Sequence, residues 1–323
     1  MCSRSSDCAT ADARHIRSLS VICPGGVRTS VDLAAMSRWR IGGLADVVVE
    51  PASLEELVKL RRWLNVQKLP HVIIGGTSNL LFSDLGLKVI CVRLGARLAE
   101  YSVEGTRVSA EAGIWVPGLA RIAMKAGLTG IEHTCGIPGT LGGLVCMNGG
   151  SLRNGIGDVI DKVTSVAADG SVKVRSRDEC AFSYRSSVFQ ATDEVVASAT
   201  VRLARGEVST IRRTMLGILA QRRRKFPLKQ PNCGSVFVSD PAMYDRFGPP
   251  GKIMEDLGFK GVACGGAAVA ESHGNFIVNR HQAHAEDVLS LIRDMKKAAR
   301  ERTGEDLKVE TIALDEFGQR IVI

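Results

Sequence analysis

Between residues 44 and 94 the apolar positions come in short blocks separated by small and polar residues. "LADVVVEP" is a β-branched run that Pro51 ends, which predicts a strand. Ser53 followed by Glu56 predicts a capping box, and Leu54, Leu57, Val58 and Leu64 give the helix it opens one apolar face. "HVIIGG" predicts the next strand. The chain then breaks at Ser83, Asp84 and Gly86 before a further short run at 89 to 94, so the order is strand, helix, strand, loop, strand. This is a small α/β unit with a glycine loop at the end of a strand, where such sheets hold ligands. From 101 to 203 the rhythm changes to short alternating runs with glycine turns, interrupted by a helix at "VPGLARIAMKAG". The last third opens with a basic helix from about 206, whose stripe is Val208, Ile211, Met215 and Ile218 or Leu219. It ends with an amphipathic helix over 284 to 302, carrying Val288, Leu289, Ile292, Met295 and Ala299, and a strand near 307 to 313.

Composition narrows the class. The 323 residues are 45% hydrophobic and 24% charged, an ordinary globular balance with length for two or three packed units. No apolar run approaches the ~20 residues of a membrane span. The first 17 residues lack the apolar centre of a secretory signal and are expected to form a loose tail, which points to a cytoplasmic protein. Nine scattered cysteines, without a CxxC pair or a clustered histidine, argue against a disulfide framework and a zinc site, so no metal is expected. Cys233 sits beside a motif, with no base near it in sequence to make it a nucleophile.

Charge is unevenly placed. Arg202 to Lys229 holds nine basic residues against one acid, Glu207, a balance of +8 that equals the net charge of the whole chain. A solvated helix face, a site for a small polyanion and a nucleic-acid surface are the three readings. The last is disfavoured because only Phe226 interleaves the cations as a stacking residue.

Two glycine segments carry the candidate chemistry. In "IIGGTSNLL" (73 to 81), Gly75 and Gly76 let the main chain approach a ligand, successive amides form an anion site, and Thr77, Ser78 and Asn79 offer side-chain donors. Neither a P-loop ending nor GxGxxG is present, and on its own the loop reads equally as a turn. "GIPGTLGGLVCMNGG" (136 to 150) has six glycines in fifteen residues, so its backbone turns sharply or lies against something flat.

With "RIGGLADVVVEP", "AGLTGIEHTCGIPGTLGGLVCMNGG", "FSYRSSVF", "CGSVF", "GGAAVAESHGNFIVN" and "LKVE" in this order, the chain resembles the UDP-N-acetylenolpyruvoylglucosamine reductase (MurB) family of flavoenzymes over about 28 to 313. The resemblance implies an α+β protein: an FAD-binding fold of the vanillyl-alcohol-oxidase/MurB type in two subdomains, and a C-terminal α/β substrate-binding domain. The expected divisions are a flexible tail at 1–27, subdomains at 28–97 and 98–205, the substrate-binding domain at 206–313 and a tail at 314–323. Gly75, Gly76, Thr77, Ser78, Asn79 and Leu80 would embrace the FAD diphosphate. Ile137, Pro138, Gly139, Thr140, Gly142 and Gly143 would lie along the flavin and its chain.

By the same resemblance, Arg185 of "YRSS", Ser235 of "GSVF" and Glu310 of "LKVE" form the catalytic set, and Lys225, Asn232 and Gly234 bind substrate. The implied reaction takes hydride from NADPH through FAD to the methylene carbon of UDP-N-acetylglucosamine enolpyruvate, with Ser235 protonating the adjacent carbon to give UDP-N-acetylmuramate for peptidoglycan synthesis. A permanently charged arginine fork suits the substrate carboxylate, and a buried carboxylic acid assists if it keeps its proton. No tyrosine lies between Arg185 and Ser235, as in the family's shorter form, which lacks the tyrosine loop. Ser37-Arg38, Ala263 and the "GGSLRNG" stretch with Leu152 depart from the family pattern near expected cofactor and substrate contacts. A monomer or weak oligomer without nucleic-acid partners is expected. The rival readings are another flavoprotein of this fold, such as an oxidase with covalent FAD, and a nucleotide-binding protein without redox activity.

Overall fold

A computed structural model describes residues 12–239 and 243–323. The first unit is a four-stranded sheet in the spatial order Val27–Asp32, Leu44–Val49, Leu87–Arg93, His71–Ile74. The first pair is antiparallel and the other two are parallel. The helix Leu54–Val66 starts at Ser53, whose hydroxyl accepts from the Glu56 amide at 3.2 Å. The expected return bond lands one residue earlier: the Glu56 carboxylate accepts from the Ala52 amide at 2.7 Å. Leu57, Leu60 and Leu64 then bury the predicted face.

The second unit is a five-stranded antiparallel sheet, in the order Val172–Ser176, Ile160–Val166, Val195–Arg202, Arg107–Glu111, Tyr101–Glu104. The short helix Leu141–Cys146 lies on it, held by the Gly142 amide donating to the Ala112 carbonyl at 2.8 Å. One apolar cluster runs through both units, joining Val47, Leu57 and Val92 to Val108, Val163 and Val201. The two subdomains therefore share a core and stabilise each other.

The helix Val208–Lys225 buries Ile211, Met215 and Ile218 against Ala120 and Cys135. It thus packs on the second unit rather than opening the third, because its apolar stripe meets that surface first. The third unit has a three-stranded antiparallel sheet, Ala263–Cys264, Ala267–Val269 and Ile277–Asn279, covered by the helix Ala285–Thr303. Its core takes in Trp39 and Ile41 from the first unit. Trp39 is fully buried, its indole donates to the Ile277 carbonyl at 2.8 Å, and Asn279 Nδ2 donates to the Trp39 carbonyl at 3.0 Å. This is how the chain closes on itself.

Both expected tails are corrected where they are described. Residues 13–22 form a helix capped by Asp12, and Leu19 and Cys23 are fully buried beneath it. Their apolar side chains, which no signal-peptide test weighs, fill the shared core. Residues 1–11 of that expected tail lie outside the described part. At the other end, the strand near 307 to 313 is shorter and later, Ile312–Leu314, and pairs in parallel with Leu80–Phe82. The chain then turns back, the Ile321 amide donating to the Ala313 carbonyl at 2.9 Å, and Ile321 and Ile323 pack on the C-terminal core.

Candidate active site

The glycine loop begins where the strand His71–Ile74 ends. A Cβ on Gly75 would collide with Thr140 Oγ1, and one on Gly76 would lie 2.7 Å from Gly139 Cα. The two glycine segments therefore pass main chain against main chain, which requires residues without side chains there. Thr77 holds a left-handed φ of +54°, kept by its buried hydroxyl donating to the Met36 carbonyl at 2.9 Å. Asn79 Nδ2 donates to the Glu310 carbonyl at 2.9 Å. Two of the three side-chain donors that the sequence offered to a phosphate are thus engaged in shaping the loop. Ser78 alone of the three makes no side-chain hydrogen bond among the described residues. The hydroxyls of Ser78 and of buried Thr140, where the two glycine segments meet, have no hydrogen-bond partner among the described residues, and spare donors beside backbone amides fit a dinucleotide diphosphate, so FAD fits the residues present.

Cys233 joins this loop to the next motif. It is buried, and its thiol donates to the Thr77 and Leu80 carbonyls at 3.4 Å each. Burial pushes that thiol up to about 12, so a thiolate nucleophile does not form near neutral pH. Its position is structural. The chain then turns at Gly234, with φ of +85°, and presents Ser235. The Val236 amide donates to the Asn275 carbonyl at 2.9 Å, and the Asn275 side chain brackets Phe237, accepting from its amide and donating to its carbonyl at 2.9 Å each. The same segment runs beside Glu310: the Glu310 amide donates to the Val236 carbonyl at 2.7 Å, and Phe237 bridges Val309. Ser235 and Glu310 therefore lie on adjoining extended segments joined by a single bridge.

Arg185 arrives from the second unit. Its Nε lies 2.9 Å from Glu310 Oε1, but the N–H is not aimed at that oxygen and has no hydrogen-bond acceptor among the described residues. The distance makes this an ion pair and the angle leaves it incomplete as a hydrogen bond. Burial pushes the Glu310 carboxyl above the usual carboxylate range, with the Arg185 charge offsetting part of the rise. A carboxyl that binds its proton more tightly than usual and a guanidinium with donor capacity left over form a pair suited to an incoming carboxylate.

The expected substrate residues are placed less uniformly. Lys225 ends the basic helix with its ammonium 5.6 Å from the centre of the Phe226 ring. His273 packs on that ring and on Phe276, and burial together with the Lys225 charge pushes its imidazole down to about 4, so it is neutral at pH 7. Asn232 is engaged by its own turn, donating from Nδ2 to the Pro227 and Gln230 carbonyls while its Oδ1 accepts from the Gly234 amide. It shapes the turn before Ser235. Arg222 is packed against Gly136, where a Cβ would come within 2.5 Å of its Cδ, and lies 5.0 Å from the Phe226 ring centre. Part of the basic run is thus inside the protein. Asn275 and Gln190 support the site without having been singled out in sequence, and Cys233, weighed there only as a nucleophile, supports it structurally. Asn275 stands in the motif around "HGNF", whereas nothing local marks Gln190.

Residues 226–314 match the family model described as "UDP-N-acetylenolpyruvoylglucosamine reductase, C-terminal domain", and residues 45–175 match "FAD binding domain". The UDP-N-acetylenolpyruvoylglucosamine reductase 1 of Corynebacterium glutamicum is 43% identical over 290 residues, 90% of this chain and 87% of the relative. The reductase of Caldanaerobacter subterraneus subsp. tengcongensis is 39% identical over 272 residues, 84% of this chain and 88% of the relative. The crystal structure of UDP-N-acetylenolpyruvylglucosamine reductase (MurB) from Thermus caldophilus superposes with a TM-score of 0.76 at 29% identity, covering 89% of this chain and 99% of that one. On matches of this identity and extent, the chain belongs to the UDP-N-acetylenolpyruvoylglucosamine reductase family.

Proposed function

We propose that this protein reduces UDP-N-acetylglucosamine enolpyruvate to UDP-N-acetylmuramate with NADPH as the electron donor. The observation that carries the reading is the meeting of Arg185, from the second unit, with Glu310, beside Ser235, in a member of this reductase family. FAD, which the segments around Gly75, Gly76, Ser78, Gly139 and Thr140 would hold, would supply the redox chemistry that links NADPH to the enolpyruvyl ether.

The chain's own residues do the rest. Arg185 receives the substrate carboxylate, where negative charge builds as the double bond is reduced, and a fixed guanidinium stabilises that charge more in the transition state than before it. Glu310, in the protonated form that burial favours, donates a hydrogen bond to the same group. Ser235 gives its hydroxyl proton to the adjacent carbon, so that one hydride and one proton add across the double bond. Lys225 lies at the end of the basic helix, where clustered cations raise the local concentration of a diphosphate sugar. Cytoplasmic peptidoglycan precursor supply, and through it cell shape and division, is the setting this reaction implies, with the enzyme a monomer or weak oligomer.

An anaerobic single-turnover experiment tests this. The holoenzyme is bleached with NADPH, the enolpyruvyl sugar is added, and recovery of cofactor absorbance is followed. Wild type recovers rapidly, and Ser235→Ala recovers ~100-fold more slowly as expected for a lost general acid. Bleaching without recovery in wild type would overturn the substrate assignment.

A further inference from the structure

We propose that Gln190 is a positioning residue for Arg185. It acts through the Arg185 main chain, and the inference rests on the reading that Arg185 receives the substrate carboxylate.

Arg185 has a left-handed φ of +55°, a conformation a non-glycine residue keeps only where its surroundings over-determine it. It lies in a tight turn closed by Ser183 and Ser186, whose amides and carbonyls bond reciprocally at 3.1 Å. One side-chain amide locks that turn: Gln190 Nε2 donates to the Arg185 carbonyl at 2.9 Å and to the Cys146 carbonyl at 2.9 Å. Cys146 is the last residue of the helix Leu141–Cys146, which follows Gly139 and Thr140. Both protons of one planar amide are therefore used, one on the arginine that meets the substrate and one on the helix that continues the second glycine segment.

Two further side chains join the same elements. Ser187 donates its hydroxyl to the Cys146 carbonyl at 2.6 Å, and Asn148 Nδ2 donates to the Ser183 carbonyl at 2.8 Å. Neither touches the Arg185 peptide. That distinguishes Gln190, because the direction of the Arg185 Cα–Cβ bond follows its φ and ψ, and the carbonyl that Gln190 holds reports on ψ. With that carbonyl released, Arg185 can relax toward a right-handed conformation, which swings the guanidinium away from Glu310 while leaving the turn tied at Ser183 and Ser187.

Full-length holoenzyme carrying Gln190→Met, which keeps length and loses both donors, tests the proposal beside Gln190→Glu, Arg185→Met and the Gln190→Met/Arg185→Met double variant. Binding of UDP-N-acetylmuramate is measured by calorimetry and single-turnover recovery with the enolpyruvyl sugar by absorbance. Gln190→Met and Gln190→Glu should each weaken binding and slow recovery by about tenfold, as for one lost hydrogen bond to a constrained group. In the Arg185→Met background, Gln190→Met should change neither by more than about twofold, because the arm it holds is gone. Additive losses in the double variant, or wild-type behaviour of both Gln190 variants, would overturn the proposal. A wild type that neither binds the muramate nor turns over the enolpyruvyl sugar would instead overturn the reading of Arg185 on which it rests.

Discussion

Two glutamates, each facing an arginine, have opposite environments. Glu194 opens the strand Val195–Arg202 with its side chain 4% exposed, and accepts from Ser165 Oγ at 2.7 Å, Lys173 Nζ at 2.9 Å, and Arg175 Nε and Nη2 at 3.0 and 2.6 Å. The Arg175 hydrogen bond, with Lys173 and Ser165 behind it, holds its carboxyl down at about 2. Glu310 is 12% exposed, faces Arg185 at a similar distance, and is pushed up instead. Distance to the arginine does not separate them. The difference is how many of the carboxylate lone pairs find aligned donors: four bonds at Glu194, and at Glu310 one contact whose N–H points elsewhere. A completed buried pair fixes a fold, and an incomplete one retains capacity for a ligand.

Removing each group should break the comparison in a different observable. Glu310→Ala should lower single-turnover recovery by ~10²–10³-fold, the usual effect of deleting one preorganised donor, with the thermal midpoint unchanged or raised. A large fall in midpoint would show that Glu310 supports the fold after all. Glu194→Gln should cost about 3 kcal/mol in chemical unfolding, because Arg175 and Lys173 keep their charge beside a neutral partner, while recovery by the folded enzyme stays at the wild-type rate.

The two titrations run in opposite directions. Glu194 binds its proton less tightly when folded, so its contribution to stability is complete above the ordinary glutamate value and is lost as pH falls toward about 2. Glu310 binds its proton more tightly when folded, so the stability linked to it is complete below the ordinary value and is lost as pH rises through the raised one. Turnover should decline over that same rising limb, and Glu310→Gln, which cannot ionise, should flatten it. The smallest effect belongs to the loop tie: Cys233→Ala should cost about 1 kcal/mol, and Cys233→Ser, which keeps a donor, less. Equal losses in the two variants would make packing, rather than the thiol's hydrogen bonds, the source.

The local elements were largely legible. The capped helix after Pro51, the strand before Gly75 and the two amphipathic helices follow from apolar spacing that burial enforces directly. Arg185, Ser235 and Glu310 could be singled out because each sits in a short motif of the family the chain resembles, and the structure brings Arg185 to Glu310. What spacing does not encode is the partner across space. Nothing in "SYRSSVFQ" shows that Gln190 bonds back to Arg185 and across to Cys146, and nothing in "TSN" shows that Thr77 and Asn79 hold Met36 and Glu310 rather than a phosphate. The basic run misled for a related reason, since a charge count does not separate exposed arginines from Arg222, which is laid against Gly136. The N-terminal segment was misjudged because Leu19 and Cys23 count as core only once the sheet beneath them exists.

The parallel pairing of Ile312–Leu314 with Leu80–Phe82 has a consequence for biosynthesis. As the chain leaves the ribosome, the first unit emerges with Leu80–Phe82 still without its partner strand, because that partner follows only after the second unit and most of the third. Glu310 lies two residues ahead of it and Asn79 one residue before Leu80, so the same pairing that covers the exposed edge brings the acid to the glycine loop. A nascent chain that has not reached Ile312–Leu314 therefore lacks both edge protection and an assembled site, and emergence of that strand supplies the two together.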